Sequence, residues 1–220
     1  MITGQVAVID YGVGNLLSVR RALEHCGATV AVTPDPAAIL SATCVVLPGV
    51  GAFAKGMSEL RRTGLDAVTR EVAARGIPLL GICLGMQMLL DESEEFGSTR
   101  GLGLIPGRVI PIPSAIEGGS LRKTPHIGWN GLVYSAGRET WSDTPLRDSH
   151  VADAVYFLHS FMAETTDPAD RVADCVYDGL TISAAIMRGP VFGCQFHPEK
   201  SGAIGLSILK GFLTDSLVSA

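Results

Sequence analysis

The sequence predicts an open α/β fold: a mixed sheet, parallel in its first part, flanked by helices. Two patterns along the chain and one property of its composition predict it. The first half alternates short β-rich runs with helical periods, as parallel strands joined by crossover helices do. From Arg108 onward strand runs follow one another across short turns, which suits antiparallel extension of the same sheet better than a second domain. With 220 residues, 47% of them hydrophobic and 18% charged, the chain can bury a full core and is not intrinsically disordered.

Val6 to Ile9 reads as the first strand. Leu16, Val19, Leu23 and Cys26 then recur at helical spacing, and Gly27 suits the left-handed position that ends a helix. Thr29 to Val32 resumes the sheet, and a short helix follows near Ala37 to Ser41. Cys44 to Leu47 is an apolar strand stopped at Pro48. Leu65, Val68 and Val72 mark another helix, ended by Gly76, and Ile77 to Ile82 is the next strand. It runs directly into a helical pattern, Leu84 to Leu90, so the turn at Cys83 must be sharp. In the second half, Val109 to Ile112, Val155 to Phe161, Val172 to Tyr177, Ile182 to Met187 and Val191 to Phe196 read as strands. Pro113 to Asn130 reads as a surface loop, and Ile208, Leu209, Phe212 and Leu213 mark a final helix.

The formal charge of −5, spread without long blocks, leaves no electrostatic footprint for nucleic acid or an anionic membrane. Met1 to Gln5 lacks a basic leader region, and the longest apolar stretch, Leu79 to Leu90, is short of the ~20 residues a membrane span needs. Five cysteines with no Cys-x-x-Cys pair argue against a disulfide framework or a cysteine zinc site and fit a reducing cytoplasm. No metal and no cofactor is called for.

In an open α/β sheet, chemistry is sought beyond the carboxyl ends of parallel strands, here after Ile9, Leu47 and Ile82. Gly81-Ile82-Cys83-Leu84-Gly85 matches a nucleophile elbow with Cys in place of Ser. The glycines leave room for a strained turn, and the N–H groups of the following helix favour a thiolate. Cys26, Cys44, Cys175 and Cys194 lie within helix or strand patterns and read as ordinary apolar residues. A thiolate needs a partner that can act as both acid and base, and five histidines are available. His25 and His150 suit a helix end and a polar loop. His126 and His159 could line a site but have no acid at suitable spacing. His197 ends an apolar strand, with Glu199 two residues on and Pro198 biasing His197 toward extended geometry, so the imidazole and the carboxylate point together. Cys83, His197 and Glu199 therefore read as a triad. For the oxyanion, Gly49, Val50 and Gly51 in the loop after Leu47, with the N–H of Leu84, are the expected donors. Neither this loop nor Gly12-Val13-Gly14 carries a full nucleotide-binding fingerprint.

These three motifs, in order, resemble the triad class I glutamine amidotransferase family. The segments Asp10 to Asn15, Pro48 to Phe53, Gly81 to Gln87, Pro125 to Asn130 and Tyr156 to Phe161 resemble more narrowly the glutaminase subunits of imidazole glycerol phosphate synthases, over nearly the whole chain. The resemblance implies a flavodoxin-like fold forming a single glutamine amidotransferase domain over residues 1–220. It also implies a separate (β/α)8-barrel cyclase as heterodimer partner, to which ammonia from glutamine is delivered. Gln87, Glu95 and the backbone at His159, Ser160 and Phe161 would hold the substrate, and Asn15, Trp129, Tyr156 and Lys200 would face the cyclase. Five of these have an ordinary alternative: a solvated acidic helix end for Glu95, an exposed helix residue for Gln87, core aromatics for Trp129 and Tyr156, and a surface cation for Lys200. Two other functions compete, the first opposed by Asp10 to Asn15 and Pro125 to Asn130, the second disfavoured but not excluded by the intact Cys83, His197 and Glu199 set. One is a glutaminase serving another acceptor, such as an anthranilate or pyridoxal-phosphate synthase; the other is a catalytically silent subunit.

Overall fold

A computed structural model describes residues 4–115 and 121–218 of the chain. The first half is β1 (Gln5–Ile9), α1 (Leu16–His25), β2 (Thr29–Thr33), α2 (Pro36–Leu40), β3 (Cys44–Leu47), α3 (Phe53–Arg62), α4 (Leu65–Ala74), β4 (Leu79–Ile82) and α5 (Leu84–Met88). The second half contains β5 (Glu92–Ser93), β6 (Thr99–Arg100), β7 (Gly107–Pro111), β8 (His126–Tyr134), β9 (Ala154–His159), β10 (Phe161–Thr165), β11 (Arg171–Tyr177), β12 (Leu180–Arg188), β13 (Val191–Cys194) and α6 (Gly202–Val218).

Helix ends follow from residues close in sequence. Asp35 caps α2 by accepting from the Ala37 N–H at 3.1 Å, with Pro36 in the first helical position. The chain leaves α1 through Gly27 at φ 92° and α4 through Gly76 at φ 75°, a backbone region closed to most side chains.

Nine strands form the main sheet in the order β2-β1-β3-β4-β13-β12-β11-β8-β9. The block from β2 to β13 is parallel, and β12, β11, β8 and β9 then add antiparallel to one another. One face packs on α1 and α6, where Val19 and Leu23 meet a core shared with Ile208, Leu209, Phe212 and Leu213. The opposite face packs on α2, α3, α4 and α5 through Ile39, Met57, Leu65 and Met86.

Four features depart from the reading of the sequence. Helix α3 was not anticipated, although Phe53, Met57 and Leu60 are buried at helical spacing. The stretch Pro113 to Asn130 is not loop throughout: 116–120 lie outside the described residues, and from His126 the chain is strand β8, paired with both β9 and β11. The strand expected over Val155 to Phe161 breaks at Ser160, where the chain passes from the main sheet into a second sheet of order β10-β7-β5-β6. That small sheet itself had no separate signal, since β5 and β6 are two residues each.

Among the described residues, no helix is long and apolar enough to cross a membrane. No disulfide links any of the five cysteines.

Candidate active site

The sheet order brings the three predicted motifs to one edge. β4 lies between β3 and β13, parallel to both, with Leu47 opposite Gly81 and Cys194 opposite Ile82. The loop after β3, Cys83 after β4 and His197 after β13 therefore leave the sheet side by side, although Cys83 and His197 are far apart in sequence.

Cys83 has φ 54° and ψ −110°, a backbone conformation that a residue with a Cβ tolerates only when its surroundings hold it there. What holds it is close packing around glycines. The Cys83 N–H donates to the Cys194 carbonyl at 2.8 Å, and its own carbonyl accepts from the Gln87 N–H at 3.1 Å. A Cβ on Gly85 would stand 1.9 Å from the Leu47 oxygen, and one on Gly81 would stand 2.8 Å from the Gly85 backbone. The turn can close only because both side chains are absent.

His197 has φ −100° and ψ 95°, the extended geometry imposed by Pro198. Its Nδ1 lies 2.9 Å from Glu199 Oε1, both side chains are almost fully buried, and the ring is close enough to Cys83 to interact with its thiol. Burial alone would push the imidazole down. The interactions with Cys83 and Glu199, with the charges of those two groups, outweigh it and lift His197 to about 9. At neutral pH the ring therefore holds its proton. By contrast, burial pushes Cys175 up to about 12 and Cys194 well above the ordinary thiol value, so both stay protonated.

A cavity of about 350 Å³ opens over this pair. It is lined by Cys83, Leu84 and His197, by Val50, Gly51 and Gln87, by the segment Leu158 to Phe161, and by Glu95 and Phe96. Gly49 is not at its surface: it packs behind, where a Cβ would meet Gly85 N at 2.8 Å and Leu84 Cβ at 2.9 Å. Gly51, at φ 94°, has open space where a side chain would be. Tyr11 supports the loop from below by donating its hydroxyl to the Pro48 carbonyl at 2.8 Å, and burial keeps that hydroxyl protonated.

Glu95 is not a freely solvated helix end: its Oε2 accepts from the Phe53 N–H at 2.6 Å, at the start of α3. Nor is Gln87 exposed. Its Nε2 donates to the Phe161 carbonyl at 3.1 Å and to Gln195 Oε1 at 3.0 Å. The Ser160 carbonyl accepts from Ile112 N and the Phe161 carbonyl from Gln87 and His159, so those two oxygens are already engaged.

Trp129, Tyr156 and Lys200 form a row, with the Trp129 and Tyr156 rings 6.1 Å apart and Lys200 Nζ 6.0 Å from the Tyr156 ring. Trp129 is 58% exposed, which no core aromatic would be. Asn15 precedes α1 without capping it through its side chain, and no hydrogen bond or ring contact connects it to this row among those observed for the described residues.

The sequence reading passed over two polar groups near the site. Gln195 is fully buried and donates toward Cys83 Sγ at 3.7 Å; its only signal was a polar residue inside the apolar run Val191 to Phe196. His126, considered but set aside for want of an acid, is stacked between Phe157 and Tyr177, and its Nδ1 lies 3.0 Å from His159 Nε2. Burial pushes both histidines down to about 4, so the pair is neutral.

Comparison with known proteins gives the family of the chain. Residues 7–215 match the family model described as glutamine amidotransferase class-I. A Legionella pneumophila (strain Lens) protein called imidazole glycerol phosphate synthase subunit HisH 1 is 51% identical over 94% of this chain and 98% of its own. A Geobacillus kaustophilus protein called imidazole glycerol phosphate synthase subunit HisH is 45% identical over 94% and 95%. The fold is shared with solved structures of low identity. One is PurLQS from Thermotoga maritima, with TM-score 0.68, 20% identity and coverage of 96% of this chain and 98% of that one. Another is a protein described as a glutamine amidotransferase, with TM-score 0.71, 16% identity and coverage of 96% and 98%. With a family model spanning most of its length and relatives near half identity end to end, this chain belongs to the class I glutamine amidotransferases and, within them, to the HisH glutaminase subunits of imidazole glycerol phosphate synthase.

Proposed function

We propose that residues 1–220 act as one glutamine amidotransferase domain that hydrolyses glutamine to glutamate and ammonia, using Cys83, His197 and Glu199. The observation that carries this reading is that Cys83 and His197, with Glu199 hydrogen bonded behind His197, line one cavity together with Glu95. The Cys83 thiolate attacks the carboxamide carbon. The oxyanion is met by the N–H of Leu84 and by the Gly49 to Gly51 loop, chiefly through Val50 and Gly51, which reach the cavity. Because His197 already holds a proton at neutral pH, it can give that proton to the departing ammonia as the γ-glutamyl thioester forms. The resulting neutral imidazole then takes a proton from the water that hydrolyses the thioester, releasing glutamate. Glu199 stabilises the imidazolium at both stages. Glu95 takes the substrate ammonium, and Gln87 with the backbone at His159, Ser160 and Phe161 holds the remaining polar ends. No cofactor or metal enters these steps.

The partner in this reading is a (β/α)8-barrel cyclase in a cytoplasmic heterodimer. It uses the ammonia to make imidazole glycerol phosphate and aminoimidazole carboxamide ribonucleotide in histidine biosynthesis. Asn15, Trp129, Tyr156 and Lys200 form the docking face. Docking turns the Val50–Gly51 peptide into a competent oxyanion hole; the open space beside Gly51 permits that rotation, whereas Gly49 is wedged in place. The test is trapping with diazo-oxo-norleucine in the presence of the cyclase, followed by peptide mass analysis. An adduct on Cys83 is expected, and its absence overturns the enzymatic reading. Ammonia release by the isolated chain at the rate of the complex overturns the gating.

A further inference from the structure

We propose that Gln195 is a catalytic residue of this site: it holds an N–H bond donor against the Cys83 sulfur, with its direction set by the Phe161 carbonyl acting through Gln87. The inference rests on Cys83 being the nucleophile and concerns how its sulfur is prepared.

The argument is one of hydrogen-bond polarity. A carbonyl oxygen can only accept, so the Gln87 amide atom 3.1 Å from the Phe161 oxygen must be its nitrogen. The second hydrogen of that nitrogen goes to the Gln195 amide at 3.0 Å, which makes the facing atom of Gln195 its oxygen. The other end of the same amide is then an NH2 group, and it lies 3.7 Å from Cys83 Sγ. Reversing Gln87 would set its oxygen against the Phe161 carbonyl, and reversing Gln195 alone would set two NH2 groups against each other, in a buried site. The Phe161 carbonyl also accepts from His159 Nδ1 at 2.8 Å, so the bend between β9 and β10 anchors this chain from two sides.

The consequence falls on the thiol. Its sulfur faces one obligatory donor, Gln195 Nε2, and one obligatory acceptor, the Leu158 carbonyl at 3.9 Å. The titratable groups around it are His197 with Glu199 behind it, Tyr11 across the loop after β3, Cys194 on β13, and His159 beyond His197. Among them Gln195 is a neutral donor whose direction pH cannot reverse, and N–H donation to sulfur is stronger when the sulfur is an anion. Gln195 is completely buried and is not part of the cavity wall, so it acts on the sulfur from behind without touching substrate.

The test is the pH dependence of Cys83 alkylation by iodoacetamide in the full chain, followed on the Cys83 peptide by mass spectrometry. Gln195→Met keeps approximate shape but removes the donor. Its low-pH limb is expected to move up by about one pH unit, so that alkylation below the limb slows about tenfold. Gln195→Glu sets an oxygen against the sulfur and is expected to move the limb further. Gln87→Met releases the anchor and is expected to give a smaller shift in the same direction, which keeps the test open if the Gln195 variants do not fold. Folding is checked by thermal melting followed by circular dichroism. Folded Gln195 variants with the wild-type limb overturn the role of Gln195 while leaving Cys83 as nucleophile; if neither folds, a wild-type limb in Gln87→Met does the same. Wild-type protein in which Cys83 labels no faster than half-buried Cys26 overturns the nucleophile assignment itself, and with it this inference.

Discussion

Folding stability is expected to peak near pH 6.5 because three buried histidines titrate in opposite senses. His126 and His159 are held neutral down to about pH 4, whereas in the unfolded chain each takes up a proton near 6.5. Between those values the unfolded state binds the extra protons, so their contribution is complete above pH 6.5 and is lost as pH falls. For His159, deeply buried with both ring nitrogens engaged, the loss reaches about 3 kcal/mol by pH 4 and about 2 kcal/mol by pH 5. His126 adds to it in the same direction. His197 behaves oppositely: the native chain keeps its proton up to about pH 9, so its contribution is complete below 6.5 and is lost as pH rises through 9. Urea titrations at pH 5, 6.5 and 8.5 measure both limbs. With m of roughly 2 kcal/mol/M, the acid limb alone lowers the urea midpoint by about 1 M at pH 5, above the range in which ordinary carboxylates titrate. His126→Gln keeps a donor toward His159 but removes one titrating ring, and it should make the acid limb shallower. Coincident midpoints at pH 6.5 and 5, or an acid limb unchanged in the variant, would refute the assignment of the pair as neutral.

Cys83→Ala should abolish glutamine-dependent synthesis by the complex while ammonia-dependent synthesis continues; loss of both would show that Cys83 supports folding or docking. Gly85→Ala, which drives a methyl into the Leu47 carbonyl, should cost about 3 kcal/mol or prevent folding, read from denaturant melts. Glu199→Gln removes the charge that helps His197 hold its proton, so glutaminase turnover should fall about 10²- to 10⁴-fold, with the alkaline limb of its pH profile moved down. Trp129→Ala should leave the melting temperature of the free chain nearly unchanged, because the ring is largely exposed, and weaken cyclase binding by about 2 kcal/mol in calorimetric titration.

The triad was legible because its signals are local. A glycine on each side of Cys83 marks a turn that other residues would obstruct, and His197-Pro198-Glu199 is a three-residue device whose geometry Pro198 constrains. The parallel strands and α1, α2, α4 and α6 were legible for the same reason, as periodicity and helix ends are written in neighbouring residues. The switch of sheet at Ser160 was not. Tyr156 to Phe161 contains no Gly, Pro, Asn or Asp to mark a turn, and only pairing with β8 on one side and β7 on the other decides where the strand divides. Gln195 was hidden in the same way, since a polar residue in an apolar strand announces nothing until its neighbours are known.

By itself the chain determined which residues are chemically able to do the work, because nucleophile, base and turn glycines are properties of short segments. Only tertiary structure decided their company: that β13 lies in register beside β4, that Gln87 turns inward to Gln195, and that His126 finds His159. Those outcomes depend on strand order and on the polarity of buried hydrogen bonds, which are settled by packing between segments distant in sequence.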